Sequence, residues 1–124
     1  MMDDQLYREL ILDVYRNPKN QGEIADPDIQ ARLVNPLCGD EVRLQIKLTN
    51  NRVGEALFSG NGCAIFQVSA SLLANYIEGK LLEEVKKVSS DDIIRLLGVN
   101  PALARQSCAL LSLNVLKEAL IHGS

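Results

Sequence analysis

Aromatic residues are scarce in this sequence, which has no tryptophan and only 4% phenylalanine and tyrosine among its 124 residues. Proteins that bind single-stranded nucleic acids stack the bases on aromatic side chains, so this scarcity disfavours that class of ligand. The chain also lacks a cluster of basic residues, and its formal net charge is −3. The electrostatic footprint of a protein that binds phosphate backbones is therefore missing. We expect its partners to be proteins or small ions.

Long hydrophobic runs are also absent. No stretch approaches the ~18 apolar residues of a membrane span, and the opening MMDDQLYREL is acidic where a secretion signal is positively charged. These features predict a cytoplasmic protein that does not associate with membranes. Because the cytoplasm is reducing, the three cysteines are expected to be thiols or metal ligands. An odd number also cannot pair off within the chain.

Histidine occurs once, as His122 near the C-terminus, where a frayed tail explains it better than a role as a ligand. Nucleophilic triads and histidine acid–base chemistry therefore lack their usual residue. Neither a Walker motif nor a dinucleotide-binding fingerprint is present. The overall composition, 47% hydrophobic and 23% charged, is ordinary for a folded protein, and we expect residues 1–124 to form a single domain.

The spacing of apolar residues predicts a helix over residues 3–16, followed by a polar connector and then strands. Residues 29–34 alternate weakly between apolar and polar. Residues 41–49 alternate cleanly, with Val42, Leu44, Ile46 and Leu48 on one face and Glu41, Arg43, Gln45 and Lys47 on the other. Asn50-Asn51 can adopt the positive φ values of a tight hairpin turn, so residues 52–59 are expected to return as the partner strand.

Helices are predicted for the rest of the chain. One begins near Cys63 or Ala64 and ends before Gly79, with Ile65, Val68, Leu72 and Tyr76 on one face. A short helix is expected at 82–87 and another from Ser90 to Gly98, and residues 103–121 form either one helix or a turn and a helix. Two or three strands followed by helices predict the α+β class, with helices packed on one face of an antiparallel sheet.

Three cysteines, Cys38, Cys63 and Cys108, are the residues best suited to chemistry. They are 25 and 45 residues apart and form no CxxC pair, so the spacing excludes a zinc finger. Any site that they share must be assembled by the fold.

Cys38 lies in the loop sequence NPLCGD. Gly39 allows the backbone to turn so that Cys38 and Asp40 can converge, and a thiolate with a carboxylate suits zinc or iron. An equally good interpretation of Asp40 alone is that it caps its own turn.

Cys63 follows two glycines at an expected strand-to-helix junction, where helix amides favour the thiolate. Cys108 follows Arg105 by three residues, so in a helix the guanidinium can reach the thiol. Judged one at a time, both cysteines are more simply explained as small buried hydrophobic residues.

Taken together, the segments NPLCGDEV, SGNGCAIFQVSASLL and ARQSCALLSLNVLKEAL resemble the iron–sulfur cluster scaffold family, the group of NifU N-terminal, IscU and SufU proteins. The resemblance covers nearly the whole chain. It implies a compact α+β fold with a three-stranded antiparallel sheet and helices packed on one face (SufE/NifU-like).

The resemblance also implies the site and its chemistry. The ligands are expected to be Cys38, Asp40, Cys63 and Cys108, with Cys108 as a candidate acceptor of persulfide sulfur and Arg105 as the neighbour of its thiolate. Family members accept sulfur from a cysteine desulfurase, build a [2Fe–2S] or related cluster and pass it to apo-proteins. Many also bind zinc at the same site. Such a protein is a scaffold rather than a turnover enzyme.

Departures from the family pattern keep a second function open. Ser107 stands where the IscU branch has a histidine, and GVNPALAR replaces the LPPVK segment read by a dedicated chaperone, so we do not expect that chaperone as a partner. The SufU branch shares the arginine three residues before its third cysteine, but it carries an insertion that is missing from the 44 residues between Cys63 and Cys108. The alternative function is a zinc-dependent sulfurtransferase, in which zinc holds the cysteines and one of them accepts persulfide sulfur.

Overall fold

The computed structural model describes residues 9, 12, 13, 16, 19–34, 41–61, 64–97 and 103–122, and gives only the backbone at 61, 64, 65, 103–109 and 122. Its strands are β1 (Ile29–Val34), β2 (Glu41–Thr49) and β3 (Arg52–Asn61). Its helices are α1 (Ala64–Ile77), α2 (Leu82–Val85), α3 (Ser90–Leu97) and α4 (Leu103–His122). Within the predicted N-terminal helix, Glu9, Leu12, Asp13 and Arg16 are helical, and the other positions lie outside the described residues.

The three strands form one antiparallel sheet in the order β1-β2-β3. The predicted hairpin between β2 and β3 is confirmed, because Asn50 and Asn51 have φ values of 52° and 68°. Two consecutive positive φ values are typical of a type I′ turn, whose backbone twist matches the twist of the two strands that it joins. The weakly alternating residues 29–34 pair with β2 as the third strand, which confirms the α+β class and the three-stranded sheet.

The hydrophobic core lies between the helices and one face of the sheet. Val42, Leu44 and Ile46 have no exposed surface, and they pack in one cluster with residues of β3 and all four helices. This is the face predicted from the alternation in β2. Because apolar burial is the main stabilising term in folding, the cluster fixes which way β2 faces.

Gln45 corrects one part of that prediction. It belongs to the face expected to be polar, yet only 6% of it is exposed. Its side-chain oxygen accepts a hydrogen bond from the backbone N–H of Ile24 at 2.8 Å, and its amide donates to Gln30 at 3.2 Å. The connector before β1 thus covers part of the outer face. Alternation predicts which side chains share a face, but not what covers that face.

Helix α1 also differs from the prediction. Val68 is fully buried as expected, but 37% of Tyr76 is exposed, and Leu73 and Ile77 occupy the core instead. Side chains from 66 to 74 are buried or half-buried on every side, because α1 contacts β3, α3 and α4. A helix enclosed in this way has no single apolar stripe. It ends as predicted before Gly79, whose φ is +85°.

The start of α3 rests on a capping interaction with Ser89, not with Ser90. The carboxylate of Asp92 accepts hydrogen bonds from the backbone N–H of Ser89 at 2.8 Å and from its hydroxyl at 3.2 Å. The side chain of Asp92 thus reaches back to the residue before the helix, which is one half of a capping box. The backbone hydrogen bond is the first cause that lowers the pKa of Asp92, and desolvation opposes it. Helix α4 is continuous from Leu103, so residues 103–121 form one helix and not a turn followed by a helix.

The Asp92 cap predicts a pH-dependent stability. Asp92→Ala should lower the free energy of unfolding by about 1 kcal/mol at pH 7. Since the folded pKa of Asp92 is lowered, the stabilisation is complete above the unfolded pKa and is lost as the pH falls through the folded pKa. The difference from wild type should therefore hold from pH 8 to about 5 and shrink below it.

Urea unfolding across this pH range measures the effect. Asp91→Ala is the matched control, because it removes a carboxylate from the same first turn of α3 and Asp91 is exposed. An equal loss in both variants would contradict a specific role for the cap.

Candidate functional site

One end of the sheet is defined by a row of three paired residues. Val34, the last residue of β1, pairs with Glu41, the first residue of β2, and Glu41 pairs with Asn61, the last residue of β3. Paired residues on neighbouring strands have Cα atoms about 4.5–5.5 Å apart. We call Val34, Glu41 and Asn61 the terminal row.

Three of the four predicted ligands belong to segments that leave the terminal row. Cys38 and Asp40 lie between Val34 and Glu41, and Cys63 lies between Asn61 and the start of α1 at Ala64. Asp40 directly precedes Glu41 in the sequence, and Cys63 follows Asn61 by two residues. These three residues lie outside the described part of the chain, so the structure gives the anchors of their segments and not the site itself.

Gly60 makes a close approach at the terminal row. Its φ is +132°, and a Cβ atom added there would lie 2.1 Å from the backbone oxygen of Glu41. That distance is far below any permitted contact between the two atoms. The backbone conformation is also one that residues other than glycine rarely adopt. Gly60 therefore lets β3 lie against the residue that follows Asp40.

Glu41 also forms an ion pair with the neighbouring strand. The Nε of Arg32 donates to its carboxylate at 2.5 Å. This hydrogen bond first, and the positive charge of Arg32 second, hold the pKa of Glu41 below its usual value. Because both side chains are solvent-exposed, the pair contributes little to stability. The ion pair holds the carboxylate of Glu41 against Arg32 of the neighbouring strand β1.

Helix α4 carries the remaining candidates, Cys108 and Arg105. The helix packs on α1, where the hydroxyl oxygens of Ser69 and Ser112 are 3.5 Å apart. Cys108 is one helical turn before Ser112, and positions 105, 108 and 112 share one face of an α-helix. The backbone of both candidates is described, whereas their side chains are not.

Hydrogen bonds near the hairpin give the direction in which α1 and α4 run along the sheet. Gly79, just after α1, donates to the backbone oxygen of Val53 near the hairpin end of the sheet. Lys117 of α4 reaches the backbone oxygen of Lys86, and Leu82 donates to Asn51 of the hairpin. Both helices therefore run from the end of the sheet with the terminal row towards the hairpin end, and position 108 lies on the terminal-row side of Ser112.

Among the described residues, no group of three or more histidine, cysteine, aspartate or glutamate side chains could hold a metal ion. No helix in the described ranges is long and apolar enough to cross a membrane. Cys38, Asp40, Cys63 and the side chains of Arg105 and Cys108 lie outside the described part of the chain, so the predicted ligand set remains a prediction.

Two buried serines of α1 were not singled out from the sequence. Ser69 contacts α4 through Ser112, and Ser71 donates a 2.7 Å hydrogen bond to the backbone oxygen of Lys19 in the connector. The signal was available, since hydroxyls inside an apolar helix need partners from elsewhere in the fold. Their partners are 43 and 52 residues away in sequence, which no local pattern reveals.

Comparison with known proteins identifies the family. A family profile described as the NifU-like N terminal domain matches residues 6–122. The chain belongs to this family. The resemblance seen in the three cysteine segments is therefore confirmed at the level of the family.

Relatives of both functional kinds align with nearly the whole chain. The zinc-dependent sulfurtransferase SufU of Bacillus subtilis is 38% identical over 134 aligned residues, covering 94% of this chain and 90% of that protein. The iron–sulfur cluster assembly scaffold protein IscU of Azotobacter vinelandii is 33% identical, covering 92% and 91%. The first alignment is longer than the 124-residue chain, so at least ten positions of the Bacillus protein have no counterpart here.

Solved structures share the NifU-like fold. The crystal structure of a putative iron–sulfur cluster assembly scaffold protein for the SUF system from Fervidobacterium islandicum has a TM-score of 0.77 and 27% identity, covering 96% of this chain and 99% of that one. A NifU-like N-terminal protein from Brucella abortus has a TM-score of 0.73 at 21% identity, and that likeness concerns the fold alone.

The close approach at Gly60 gives a test of the terminal row. Gly60→Ala should lower the free energy of unfolding by at least about 2 kcal/mol, because it adds steric overlap to an unfavourable φ. It should also weaken any metal binding that depends on Asp40 and Cys63, which flank the paired residues.

Gly79→Ala is the matched control for this substitution. Gly79 also has a positive φ, but an added Cβ would meet no atom within 4 Å. Its cost should be about 1 kcal/mol from the backbone conformation alone, with metal binding unchanged. Urea unfolding and zinc competition with a chelator measure the two effects. Equal losses in both variants would rule out the contact with Glu41 as the cause.

Proposed function

We propose that this protein is a scaffold for iron–sulfur cluster assembly. It accepts sulfur from a cysteine desulfurase, binds iron and holds the resulting cluster on Cys38, Asp40, Cys63 and Cys108 until an apo-protein receives it. The cluster is cargo and not a resident cofactor. The observation that carries the proposal is the terminal row, from which the segments bearing Cys38, Asp40 and Cys63 all leave.

The chemistry of these residues supports the proposal. Thiolates ligate iron in [2Fe–2S] clusters and can also hold a persulfide sulfur. Three thiolates with one carboxylate form a mixed soft and hard set, which accepts either iron or zinc. In this scheme Cys108 receives the sulfur, and Arg105 favours its thiolate from one helical turn away. Asp40 occupies the position of a fourth thiolate and makes the cluster easier to release.

A zinc-dependent sulfurtransferase is the second candidate function. In its favour are the 38% identity to a protein of that name, Ser107 in place of a histidine, and Arg105. Against it stands the alignment with the Bacillus protein, in which at least ten positions have no counterpart in this chain. In that function, zinc organises the cysteines and one of them carries the persulfide, so the same four residues are used without a cluster.

The partners follow from the proposed reaction. A cysteine desulfurase supplies sulfur, and apo iron–sulfur proteins receive the cluster, whereas nucleic acids, membranes and the LPPVK-reading chaperone have no part in it. We place the reaction in the cytoplasm, because Cys38, Cys63 and Cys108 must remain reduced to bind metal. Residues 1–124 act as one domain in this scheme.

Anaerobic reconstitution separates the two functions. The purified chain is assayed for bound iron, sulfide and zinc, and then supplied with a cysteine desulfurase, cysteine and iron. For a scaffold, a visible-absorbing cluster should form and be lost when Cys38, Cys63 or Cys108 is changed to serine. Ser71→Ala is the matched control, since it alters a buried hydroxyl that contacts the connector.

Each other outcome has a definite meaning. Tight equimolar zinc, with faster desulfurase turnover and no cluster, would support the sulfurtransferase instead. If the chain shows neither bound metal nor faster desulfurase turnover, both functions are contradicted. A cluster that survives all three cysteine substitutions would contradict the proposed ligands.

The role of Asp40 has its own test. Asp40→Cys supplies a fourth thiolate, so the reconstituted cluster should persist several-fold longer and reach an apo-protein more slowly. Glu41→Cys is the matched control, because it adds a thiol one residue away at the paired start of β2. Decay of the visible absorbance measures the lifetime. Unchanged lifetimes in Asp40→Cys, or equal lengthening in both variants, would count against Asp40 as the labile ligand.

A further inference from the structure

An exposed tyrosine lies near the hairpin end of the molecule. Tyr76 belongs to the last turn of α1, about 18 Å along the helix from its first residue, and Lys80 just beyond accepts a backbone hydrogen bond from Val53 at the start of β3. Tyr76 is 37% exposed, whereas Phe58 and Phe66 are buried. Partly exposed tyrosines are enriched where proteins contact other proteins. Tyr76 is therefore a candidate contact residue.

Tyr76 lines an open hollow at the surface. The hollow has two adjoining parts of about 290 Å³ and about 250 Å³, and Tyr76 and Asp92 line both of them. The other charged residues that line it are Lys80, Glu84, Lys87 and Arg95. We call it the Tyr76 hollow. Because both parts are open to solvent, the hollow suits side chains of a protein partner better than a small molecule, which needs to be largely enclosed.

Two lysines of the Tyr76 hollow have no acidic partner among the described residues. No ion pair of the described ranges includes Lys80 or Lys87. The Nζ atom of Lys80 lies 4.4 Å from the ring centre of Tyr76. The ring attracts the ammonium group but accepts no conventional hydrogen bond from its three N–H donors. Both ammonium groups can therefore donate to an anionic ligand.

The two carboxylates of the Tyr76 hollow already have donors within the chain. Glu84 accepts a hydrogen bond from the backbone N–H of Leu81 at 3.1 Å. Asp92 accepts from the backbone N–H of Ser89 at 2.8 Å and pairs with Arg95. The hollow thus combines three cations with two carboxylates that are partly satisfied, in a chain whose formal net charge is −3. Positive charge is locally in excess there.

We propose that the Tyr76 hollow is a docking site for an acidic segment of a protein partner. Carboxylates of that segment pair with Lys80 and Lys87, and the aliphatic parts of its side chains pack on the ring of Tyr76. Clusters of cationic side chains are a recurring means of recognising acidic motifs. The site uses none of the four proposed ligands, and it lies towards the hairpin end of the sheet. A segment bound there leaves the terminal row open.

Titration of the ¹⁵N-labelled full chain with an acetylated octaglutamate peptide tests this site. In NMR spectra the amide signals of Tyr76, Lys80 and Lys87 should shift in a saturable way, whereas those of Val34 and Glu41 in the terminal row should not. Exposed ion pairs are screened by salt, so raising sodium chloride from about 50 to about 300 mM should weaken binding at least about threefold.

Charge removal at single positions shows which lysines bind the peptide. Lys80→Gln and Lys87→Gln should each weaken binding about two- to threefold, the size expected for one exposed ion pair. Lys86→Gln is the matched control, because it removes the same charge from the exposed residue next to Lys87, which does not line the hollow. Its binding should equal that of the wild type. Tyr76→Ala should weaken binding at least about twofold, with the NMR spectrum reporting whether the fold is kept.

Three results would overturn the docking site. One is a set of shifted amides that lies elsewhere on the chain, and another is an equal loss in Lys86→Gln and Lys87→Gln. The third is an equal shift of the same amides by inorganic phosphate at the same concentration of negative charge, which would mean an adventitious ion only. A chain with all three cysteines changed to serine should bind octaglutamate as the wild type does, so this site and the proposed function can fail separately.

Discussion

The register of the antiparallel sheet is the constraint on which the rest of the structure depends. Val42, Leu44 and Ile46 must all face the helices, and a shift of one residue would turn the whole set to the other face. The same register pairs Val34 with Glu41 and Glu41 with Asn61. Burial of the core thereby determines where the segments carrying Cys38, Asp40 and Cys63 begin.

Helix α1 connects the sheet to α4 and to the segment before β1. It starts directly after Cys63, and its two buried serines connect it to α4 and to the connector before β1. Buried hydroxyl contacts add little net stability, yet they discriminate strongly between one packing arrangement and another.

The scaffold and the sulfurtransferase make the same demands on this framework. In the proposals above, both functions use Cys38, Asp40, Cys63 and Cys108, which lie in the segments that leave the terminal row and in the first turns of α4. The two functions differ in the residues around the ligands. One difference is whether a histidine or a serine, here Ser107, precedes the third cysteine, and the other is which additional segments surround the site. A shared fold therefore leaves the choice between cluster and zinc to the ligands and their neighbours.

The sequence by itself determined the elements whose signals are local. Alternation marked β2, two asparagines marked the hairpin, Gly79 marked the end of α1, and the cysteine segments together indicated the family. The tertiary structure decided that Gln45 is covered by the connector, that α1 is enclosed instead of striped, and that Ser69 meets Ser112. These outcomes depend on residues 15 to 43 positions apart, brought together by burial of a common core. Periodicity within a segment carries no information about which distant segment will cover it.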